Sequence, residues 1–454
     1  MFDSTFPDPS DDAAIARWKE EMRAEPYRSY LYSYPHKTAY RELKPGLPLA
    51  QLWEKEPAES FFLYMHIPFC GARCGFCNLF TLADRQPDLH GQYVDALERQ
   101  ARQWAPFVSG KPFARYAIGG GTPTLLAPEL LDRLFDIAEE VMGLNPEQAS
   151  ISVEASPDTV TPERLDILRK RRVDRVSMGV QSFVEAESAA IYRPQKPLEV
   201  ERALERLKRY DFPVLNLDLI YGLPGQTVQS WLYSLERALA FQPEEIFLYP
   251  LYTREHTILK HGESRRDGTD LRMDCYLAAR DRLVAEGYVQ SSMRRFAKTP
   301  SHSGKTVLPY GCQEEGLVGL GCGARSYTRQ VHYATRYAVS RVASERIIRE
   351  YISAGNYDTA DYGMVLDSRE EKRRYILKAV LHQEGLALPA YGERFGSPAL
   401  EDCPELQVLL KAKWAFLSDG ILRLTDEGLA HSDAIGDGLI SPAVRERMEG
   451  FVFA

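Results

Sequence analysis

Residues 61–77 read FFLYMHIPFCGARCGFC, which is an apolar run followed by three closely spaced cysteines. Phe61–Ile67 is almost entirely apolar or aromatic, which predicts a buried β-strand. The loop that follows at once carries Cys70, Cys74 and Cys77 in the spacing Cys-x3-Cys-x2-Cys. In barrels of parallel strands the chemistry collects at the carboxyl ends of the strands, so a strand that runs directly into a cysteine loop indicates this kind of fold.

The cysteine spacing predicts an iron–sulfur cluster, because such clusters take thiolate ligands from short loops. Three thiolates on a four-iron cluster leave one iron without a protein ligand, and an open coordination position marks a catalytic metal site. The amino and carboxylate groups of S-adenosylmethionine can occupy that position, where one electron cleaves the sulfonium and releases a 5′-deoxyadenosyl radical. The alternatives are simple thiols or a zinc site, which usually has a fourth Cys or His ligand.

Outward from this loop, short apolar runs alternate with helical patterns. Strands are predicted at Phe61–Ile67, Arg115–Ile118, Ser150–Glu154, Asp174–Val180, Pro213–Ile220 and Ile246–Tyr249. Helical spacing separates them, in Asp88–Gln103, Pro128–Val141, Thr161–Arg171, Leu198–Tyr210 and Val228–Ala240. Alternating strands and helices imply a parallel sheet covered by helices, so the predicted fold class is α/β, with a partial (β/α)6 TIM-like barrel.

The flanking segments differ in character from the barrel. Residues 1–58 are rich in Pro, Tyr and charge and are predicted to form an extended N-terminal arm, ahead of the barrel at residues 59–255. Residues 256–360 are a predicted extension of the barrel. Residues 361–454 combine helical stretches with a hairpin around Asp419-Gly420, which predicts a small C-terminal winged-helix-like α+β domain.

Composition narrows the classes of protein to which the chain can belong. Its 454 residues are 44% hydrophobic, and no apolar run reaches about 18 residues, so we expect no membrane span. A net charge of −8 without a basic stripe makes a nucleic-acid partner an unfavoured expectation. The seven cysteines are an odd number, and residues 1–15 do not resemble a signal peptide, so we expect a cytoplasmic protein.

The run Tyr64–Cys77 resembles the radical S-adenosylmethionine branch of the oxygen-independent coproporphyrinogen III oxidases. Further runs carry the same resemblance, namely Gly119–Thr124, Ser177–Phe183 with Arg193, and Asp218–Pro224. Their order and spacing persist between residues 60 and 330. The resemblance implies a radical S-adenosylmethionine enzyme, but it implies no particular substrate, because a shared framework does not fix the reaction.

The resemblance also implies roles for individual residues. Cys70, Cys74 and Cys77 would hold a [4Fe–4S] cluster. Tyr64 and Glu154 are the predicted catalytic residues, Tyr64 beside the cluster and Glu154 as a hydrogen-bond acceptor for the ribose or the amino group. The glycine run would let the backbone approach the methionyl amine closely. The residues expected to bind the first S-adenosylmethionine are Tyr64, Phe76, Gly119, Gly120, Gly121, Thr122 and Glu154.

Several members of the resembled family bind a second S-adenosylmethionine. Gln181, Arg193 and Asp218 match the positions that hold it, and the guanidinium of Arg193 suits a carboxylate. Tyr252 and Arg325 fall where the family contacts the nucleosides. The expected cofactors are therefore a [4Fe–4S] cluster and one or two molecules of S-adenosylmethionine.

The sequence also departs from the resembled patterns. Coproporphyrinogen oxidases usually carry a fourth cysteine two residues after the third, where this chain has Leu79. The related haem chaperones carry a His-Asn-x-x-Tyr-Trp run, which residues 311–316 (GCQEEG) do not match. These departures turn the expectation away from porphyrin decarboxylation and from haem carriage.

Three named functions stay open, and so does radical hydrogen abstraction of an unknown kind. The first is methyl or methylene transfer to a small-molecule substrate, with the second S-adenosylmethionine as carbon donor. The second is tetrapyrrole chemistry, either coproporphyrinogen decarboxylation or anaerobic haem ring opening, in which Arg294 and Arg295 would pair with propionates unless they lie at a solvated strand end. The third is a haem chaperone without catalysis. A radical oxidoreductase or methyltransferase would need an electron donor such as flavodoxin or ferredoxin.

Overall fold

The computed structural model describes residues 6–193, 195–254, 257–259, 270–298 and 316–452. Contacts divide the chain into two compact units, which we call the barrel unit and the terminal unit. The barrel unit comprises residues 40–275, 298–364 and 452–454, and the terminal unit comprises residues 1–39, 276–297 and 365–451. The predicted boundaries after residues 58, 255 and 360 divide the chain by position and stay a prediction, whereas these units are defined by contacts in space.

Six parallel strands lie side by side in chain order in the barrel unit. They are β1 (Phe61–Ile67), β2 (Phe113–Gly120), β3 (Ser150–Ala155), β4 (Arg175–Gln181), β5 (Val214–Tyr221) and β6 (Glu245–Pro250). The predicted α/β fold and the order of its strands are thus confirmed. Side chains two residues apart on a strand share a face, so polar residues at alternate positions of β3, β4 and β5 line one side of the sheet.

Helices fill the connections between these strands, as the periodicity predicts. They are Pro87–Val108, Pro128–Asp136 with the π-helical turn Ile137–Val141, Pro162–Lys170, Glu185–Ala190, Pro197–Tyr210 and Val228–Leu239. Four of them begin with proline in the first turn, where its missing N–H has no helical partner to lose. The last begins with a capping box, in which the Thr227 hydroxyl accepts a hydrogen bond from the Ser230 N–H at 3.1 Å.

The sheet continues on the side of β1 away from β2. Leu317–Leu320 pairs with β1 in parallel. Antiparallel strands follow in the spatial order Arg325–Tyr327, Val331–Ala334, Thr359–Val365 and Arg41–Pro48. Two short parallel strands, Phe69–Cys70 and Leu82–Ala83, join the two ends of the cysteine loop.

The terminal unit combines helices with a small antiparallel sheet. The sheet has the spatial order Leu386–Ala387, Ile421–Leu424, Ala415–Ser418, in agreement with the predicted winged-helix-like α+β domain. In the described parts of both units, the remaining helices are Asp12–Ala24, Leu49–Glu54, Arg272–Ala285, Arg341–Ser353, Ser368–Val380, Leu388–Phe395, Ala399–Asp402, Glu405–Lys411, Asp426–Ala430, Ser432–Gly438 and Pro442–Glu449, with 3₁₀ turns at Lys37–Ala39 and Pro123–Leu125. No helix within the described ranges is long and apolar enough to cross a membrane.

The N-terminal residues are more regular than predicted. Asp12–Ala24 is a helix that buries one apolar side chain per turn, from Ile15, Trp18 and Met22. The Trp18 ring packs against that of Trp414 with 5.2 Å between centroids. The prediction of an extended arm was wrong for this helix and for residues 41–54, which form a strand and a helix. The high Pro and Tyr content of the segment obscured the helical spacing.

Arg294 has neither of the roles that the sequence left open. It precedes the short strand Arg295–Ala297, which pairs with Val289–Gln290 as a hairpin. Its guanidinium donates to both carboxylate oxygens of Asp433, at 2.6 and 2.7 Å, and lies 3.9 Å from the centroid of the Tyr30 ring. The side chains of this ion pair are 9% and 3% exposed. Arg294 therefore joins three segments of the terminal unit and is buried rather than at a solvated strand end.

Asp433→Asn is expected to lower the free energy of unfolding by about 3–5 kcal/mol, because it leaves a buried guanidinium without its carboxylate partner. Urea unfolding followed by circular dichroism measures this change. The control is Glu345→Gln, which breaks the exposed pair of Glu345 with Arg349 and should cost less than about 1 kcal/mol. Equal losses of unfolding free energy in the two variants would contradict the claim that burial makes the Arg294–Asp433 pair the more important one.

Candidate functional site

Backbone hydrogen bonds tie the cysteine loop to neighbouring segments. The Asp84 N–H donates to Cys70 O at 3.1 Å, which closes the base of the loop. Farther along the loop, the Gly75 N–H donates to Ile191 O at 2.8 Å, and Gly75 O accepts from the Leu259 N–H at 2.9 Å. These bonds fix the three cysteines against the segments that follow β4 and β6.

Two of the cysteine sulfurs accept hydrogen bonds from residues outside the loop. The Thr122 hydroxyl, just beyond β2, donates to Cys70 Sγ at 3.8 Å. The Arg193 guanidinium, beyond β4, donates to Cys74 Sγ at 3.4 Å. Hydrogen bonds of this kind favour the thiolate, which is the form that binds metal.

Burial acts against the thiolates. Burial raises the pKa of Cys70 to about 12 and also raises the pKa of Cys77, and neighbouring thiols add to both effects. The Leu79 N–H and the Thr81 side chain donate to Cys77 and lower its pKa in part. Positive charge beside Cys70 and Cys77 would favour their thiolates, and metal binding would supply that charge.

The cysteine loop fits a four-iron cluster. Within the described part of the chain, no three metal-binding side chains are grouped as they would be around one zinc ion. A four-iron cluster does not require such a group, since each cysteine thiolate binds its own iron. Gly121 leaves room here, because a Cβ at this position would lie 2.4 Å from Phe69 O and 3.0 Å from Cys70 Sγ.

Gly119 and Gly120 lie where any side chain would clash with neighbouring residues. A Cβ on Gly119 would lie 2.9 Å from the Glu154 carboxyl group, and one on Gly120 would lie 2.6 Å from the His66 ring. Gly120 also has a φ of +112°, which residues with a side chain rarely adopt. The glycine run thus accommodates a carboxyl group and a ring from neighbouring strands, and its approach to a methionyl amine stays a prediction.

Glu154 lies near the carboxyl end of β3 and accepts a hydrogen bond from the Gly120 N–H at 3.0 Å. Burial raises the pKa of its carboxyl group to about 7; the Gly120 N–H lowers it, and the negative charge of Asp218 raises it further. The carboxyl group therefore changes its charge near neutral pH. This property suits a residue that accepts a hydrogen bond from a ligand.

Asp218 is held by two residues that sequence reasoning missed. The Asn216 side-chain amide donates to Asp218 Oδ1 at 2.9 Å and to Ser177 Oγ at 2.8 Å. The Ser177 hydroxyl in turn donates to Asp218 Oδ2 at 3.4 Å. Burial raises the pKa of Asp218, and Arg175 and the Asn216 amide lower it. The signal for this network was the alternation in β5, where Asn216 and Asp218 share one face of an otherwise apolar strand.

Gln181 ends β4 in the left-handed region, with a φ of +68°, at a shift in the register of β4 with β5. Gln195 holds the backbone on both sides of Gln181. The side-chain amide of Gln195 donates to Val180 O and, at 3.1 Å, to Ser182 O. Sequence reasoning missed Gln195, since nothing in the local pattern distinguishes it from a surface residue.

The residues predicted for a second S-adenosylmethionine lie around the paired strands β4 and β5. Gly179 pairs with Asp218 across β4 and β5, and the Arg193 guanidinium donates to Gly179 O at 2.7 Å. Gln181 follows two residues after Gly179 on the same strand. The structure thus brings Gln181, Arg193 and Asp218 into one region, and the binding of a second cofactor there stays a prediction.

Tyr64 and His66 form a hydrogen-bonded pair on β1. His66 Nε2 lies 2.9 Å from Phe80 O, and His66 Nδ1 lies 3.3 Å from the Tyr64 hydroxyl. A carbonyl only accepts, so Nε2 carries the proton and the hydroxyl donates to Nδ1. His66 is buried, which agrees with a strand histidine that orients its neighbour. The catalytic role of Tyr64 beside a cluster stays a prediction.

The remaining predicted contacts lie around the same region. Phe76 is half-buried and packs against an apolar cluster formed by Ile191, Ile220, Leu223, Leu251 and Leu259. Tyr252 lies two residues beyond β6, and Arg325 begins the strand Arg325–Tyr327; both are half-buried. The contacts of these three side chains with adenine or the nucleosides stay predictions.

Gly121→Ala is expected to reduce cluster incorporation severalfold, because the added methyl group would lie 2.4 Å from the Phe69 carbonyl oxygen and the close-packed loop must shift. Iron and sulfide per chain after anaerobic reconstitution measure the effect. The control is Gly91→Ala, within a helix, where a Cβ meets nothing within 4 Å and alanine favours the helix by about 0.5–1 kcal/mol. Normal iron content in Gly121→Ala would show that the loop tolerates a side chain there.

The sequence of the chain is similar to those of known proteins. The sequence model of the radical SAM superfamily matches residues 64–238. The heme chaperone HemW of Bacillus subtilis (strain 168) is 31% identical over 270 residues, which are 58% of this chain and 70% of that protein. The oxygen-independent coproporphyrinogen III oxidase of Salmonella typhimurium is 27% identical over 415 residues, which are 87% of each protein.

Among solved structures, coproporphyrinogen III oxidase (HemN) from Escherichia coli, a radical SAM enzyme, matches with a TM-score of 0.76 and 24% identity over 91% of this chain and 97% of that chain. At this identity the match shows the fold. The similarity to HemW is closer in sequence and extends over more than two thirds of that protein. The chain therefore belongs to the radical SAM superfamily, in the branch that contains the oxygen-independent coproporphyrinogen III oxidases and the haem chaperones.

Proposed function

We propose that this chain is an oxidoreductase that abstracts hydrogen from a propionate-bearing tetrapyrrole. Several of its relatives are named coproporphyrinogen III oxidase, which is an activity of this kind. The observation that carries the proposal is the extent of the similarity. The Salmonella oxidase matches 87% of this chain, whereas the Bacillus chaperone matches 58% of it. The proposal replaces methyl transfer as the favoured reaction.

The departure at Leu79 is compatible with this proposal. Leu79 stands where the oxidases usually carry a fourth cysteine, but it contributes its backbone N–H to the Cys77 sulfur, which any residue can do. The three sulfurs at Cys70, Cys74 and Cys77 are the ligands that the cluster needs. Loss of the fourth cysteine therefore leaves the cluster site intact.

Family membership implies a [4Fe–4S] cluster and S-adenosylmethionine. When bound, they supply a 5′-deoxyadenosyl radical that takes a hydrogen atom from the substrate. The chain's own contribution is position and charge. Cys70, Cys74 and Cys77 hold the cluster, Gly121 leaves room beside it, and the Glu154 carboxylate accepts a hydrogen bond from the ribose or the amino group. An external electron donor such as flavodoxin or ferredoxin would supply the electron that cleaves S-adenosylmethionine, and an electron acceptor would take the electron that the substrate radical gives up as it loses CO2.

Substrate propionates would need partners other than Arg294. That guanidinium is engaged with Asp433 in the terminal unit, so it offers no free charge to a carboxylate. The stretch that departs from the haem-chaperone signature, residues 311–316, lies outside the described residues except for Gly316.

Methyl or methylene transfer is the second candidate. One observation favours it, namely that Gln181, Arg193 and Asp218 lie close to one another around β4 and β5. The names of the relatives described above do not refer to this reaction. Because a methyl donor would end as S-adenosylhomocysteine, that product separates the two candidates.

The decisive experiment is anaerobic turnover of the reconstituted, reduced protein with S-adenosylmethionine and coproporphyrinogen III. We expect 5′-deoxyadenosine together with a porphyrinogen that has lost carboxyl groups, both detected by mass spectrometry. Cys74→Ala is the control and should give neither product. Deoxyadenosine with an unchanged porphyrinogen would overturn the tetrapyrrole proposal, and S-adenosylhomocysteine would favour methyl transfer. Binding of haem without either nucleoside product would favour a chaperone.

The affinity for S-adenosylmethionine is expected to depend on the charge of Glu154. Its pKa of about 7 means that the carboxylate, the better hydrogen-bond acceptor, predominates above neutral pH and is lost as the pH falls. The dissociation constant should therefore rise between pH 8 and pH 6, by up to about tenfold per pH unit below the pKa. Equilibrium dialysis with the cluster-loaded protein measures it.

Glu154→Gln is the matched variant, because it keeps the size of the side chain and removes its titration. It should bind S-adenosylmethionine more weakly at pH 8 and show a flatter dependence on pH. Parallel pH profiles in the two proteins would assign the dependence to another group.

A further inference from the structure

We propose that Arg193 sets the reduction potential of the cluster by donating a hydrogen bond to the sulfur of Cys74, and that Gln195 is the positioning residue that holds the guanidinium in place. The inference requires the cluster that the family implies, and it does not require the proposed tetrapyrrole substrate. It also differs from the predicted use of Arg193 as a ligand for a second S-adenosylmethionine.

Three contacts fix the Arg193 guanidinium. Nη1 donates to Cys74 Sγ at 3.4 Å, and Nη2 donates to Gly179 O at 2.7 Å. Nε donates to Gln195 Oε1 at 3.2 Å. Each nitrogen of the planar fork thus has a different partner, which leaves the group little freedom to rotate away from the sulfur.

Gln195 is itself oriented without ambiguity. Its amide nitrogen faces Val180 O and Ser182 O, two carbonyls that only accept hydrogen bonds. Its Oε1 must therefore point to the donor, Arg193 Nε. Gln195 links the end of β4 to the guanidinium, and through it to the cysteine loop.

This geometry acts on the cluster through its charge. Reduction adds one electron to the cluster and breaks no bond, so the reduced form carries one more negative charge. A hydrogen bond from a cationic donor to a ligand sulfur stabilises that form more than the oxidised form, and hydrogen bonds to the sulfurs are a known determinant of cluster potential. Arg193 should therefore make the cluster easier to reduce.

Arg85 provides a matched control on the other side of the loop. Its guanidinium lies over Gly71 and its Nε donates to the backbone oxygen of that residue at 3.4 Å. Its side chain is 67% exposed and lies 3.8 Å from Asp158. A charge in this position is screened by water and by its partner, so its removal should have little effect on the cluster.

The test is a redox titration of the reconstituted protein, followed by electron paramagnetic resonance, without S-adenosylmethionine or substrate. For Arg193→Gln we expect a shift to more negative potential in which the ratio of reduced to oxidised cluster falls about tenfold at a given potential, which is about 59 mV for one electron. Gln195→Met should shift it in the same direction by less. Arg193→Lys, which keeps the charge without the fork, should lie between wild type and Arg193→Gln.

Iron content and the spectrum of the reduced cluster confirm that each variant carries the same cluster. A potential for Arg193→Gln equal to that of wild type, or equal to that of Arg85→Gln, would overturn the proposal. If Arg193→Gln fails to load a cluster, Arg193→Lys and Gln195→Met decide the matter, and unchanged potentials in both would overturn it. Because no substrate is present, failure here is distinct from failure of the proposed function.

Discussion

The site depends on one constraint, which is that the thiols of Cys70 and Cys77 must become thiolates although burial opposes it. Removal from water opposes the ionisation of Cys70 and Cys77. The chain counters this with hydrogen-bond donors from several directions, including Thr122 beyond β2 and Arg193 beyond β4. These donors follow different strands of the sheet, so the electrostatic environment of the cluster exists only after those strands have packed together. Metal binding and folding of the barrel are therefore coupled.

Local patterns were sufficient to predict the parallel strands of the α/β fold and to bring the three predicted cluster ligands together in one loop. β1 is a run of apolar residues beside closely spaced cysteines, and the glycine run follows β2 directly, so each signal lies within a few residues. The helix Asp12–Ala24 also had a local signal, since Asp11 caps it through the Ala14 N–H. It was missed because the composition of the whole N-terminal segment outweighed the spacing of a few apolar residues.

Long-range contacts were not predictable in this way. Arg294 and Asp433 are 139 positions apart, and Arg193 and Cys74 are 119 apart, so no window of sequence contains both partners. A polar residue such as Gln195 acquires its role only when a neighbouring strand end is present. The substrate is subject to the same limit, because oxidases and chaperones share the framework residues and differ in what surrounds them.

The strand pairing at one edge of the barrel unit has a consequence for synthesis on the ribosome. Arg41 pairs with Gly363, and Pro48 pairs with Thr359, so this strand waits for a partner that is made much later in synthesis. At about 5–20 residues per second this interval is on the order of tens of seconds. During that time the hydrogen-bonding groups of the early strand are open to other chains. A chain released before this partner is made would therefore leave Arg41–Pro48 open to pairing on both of its sides.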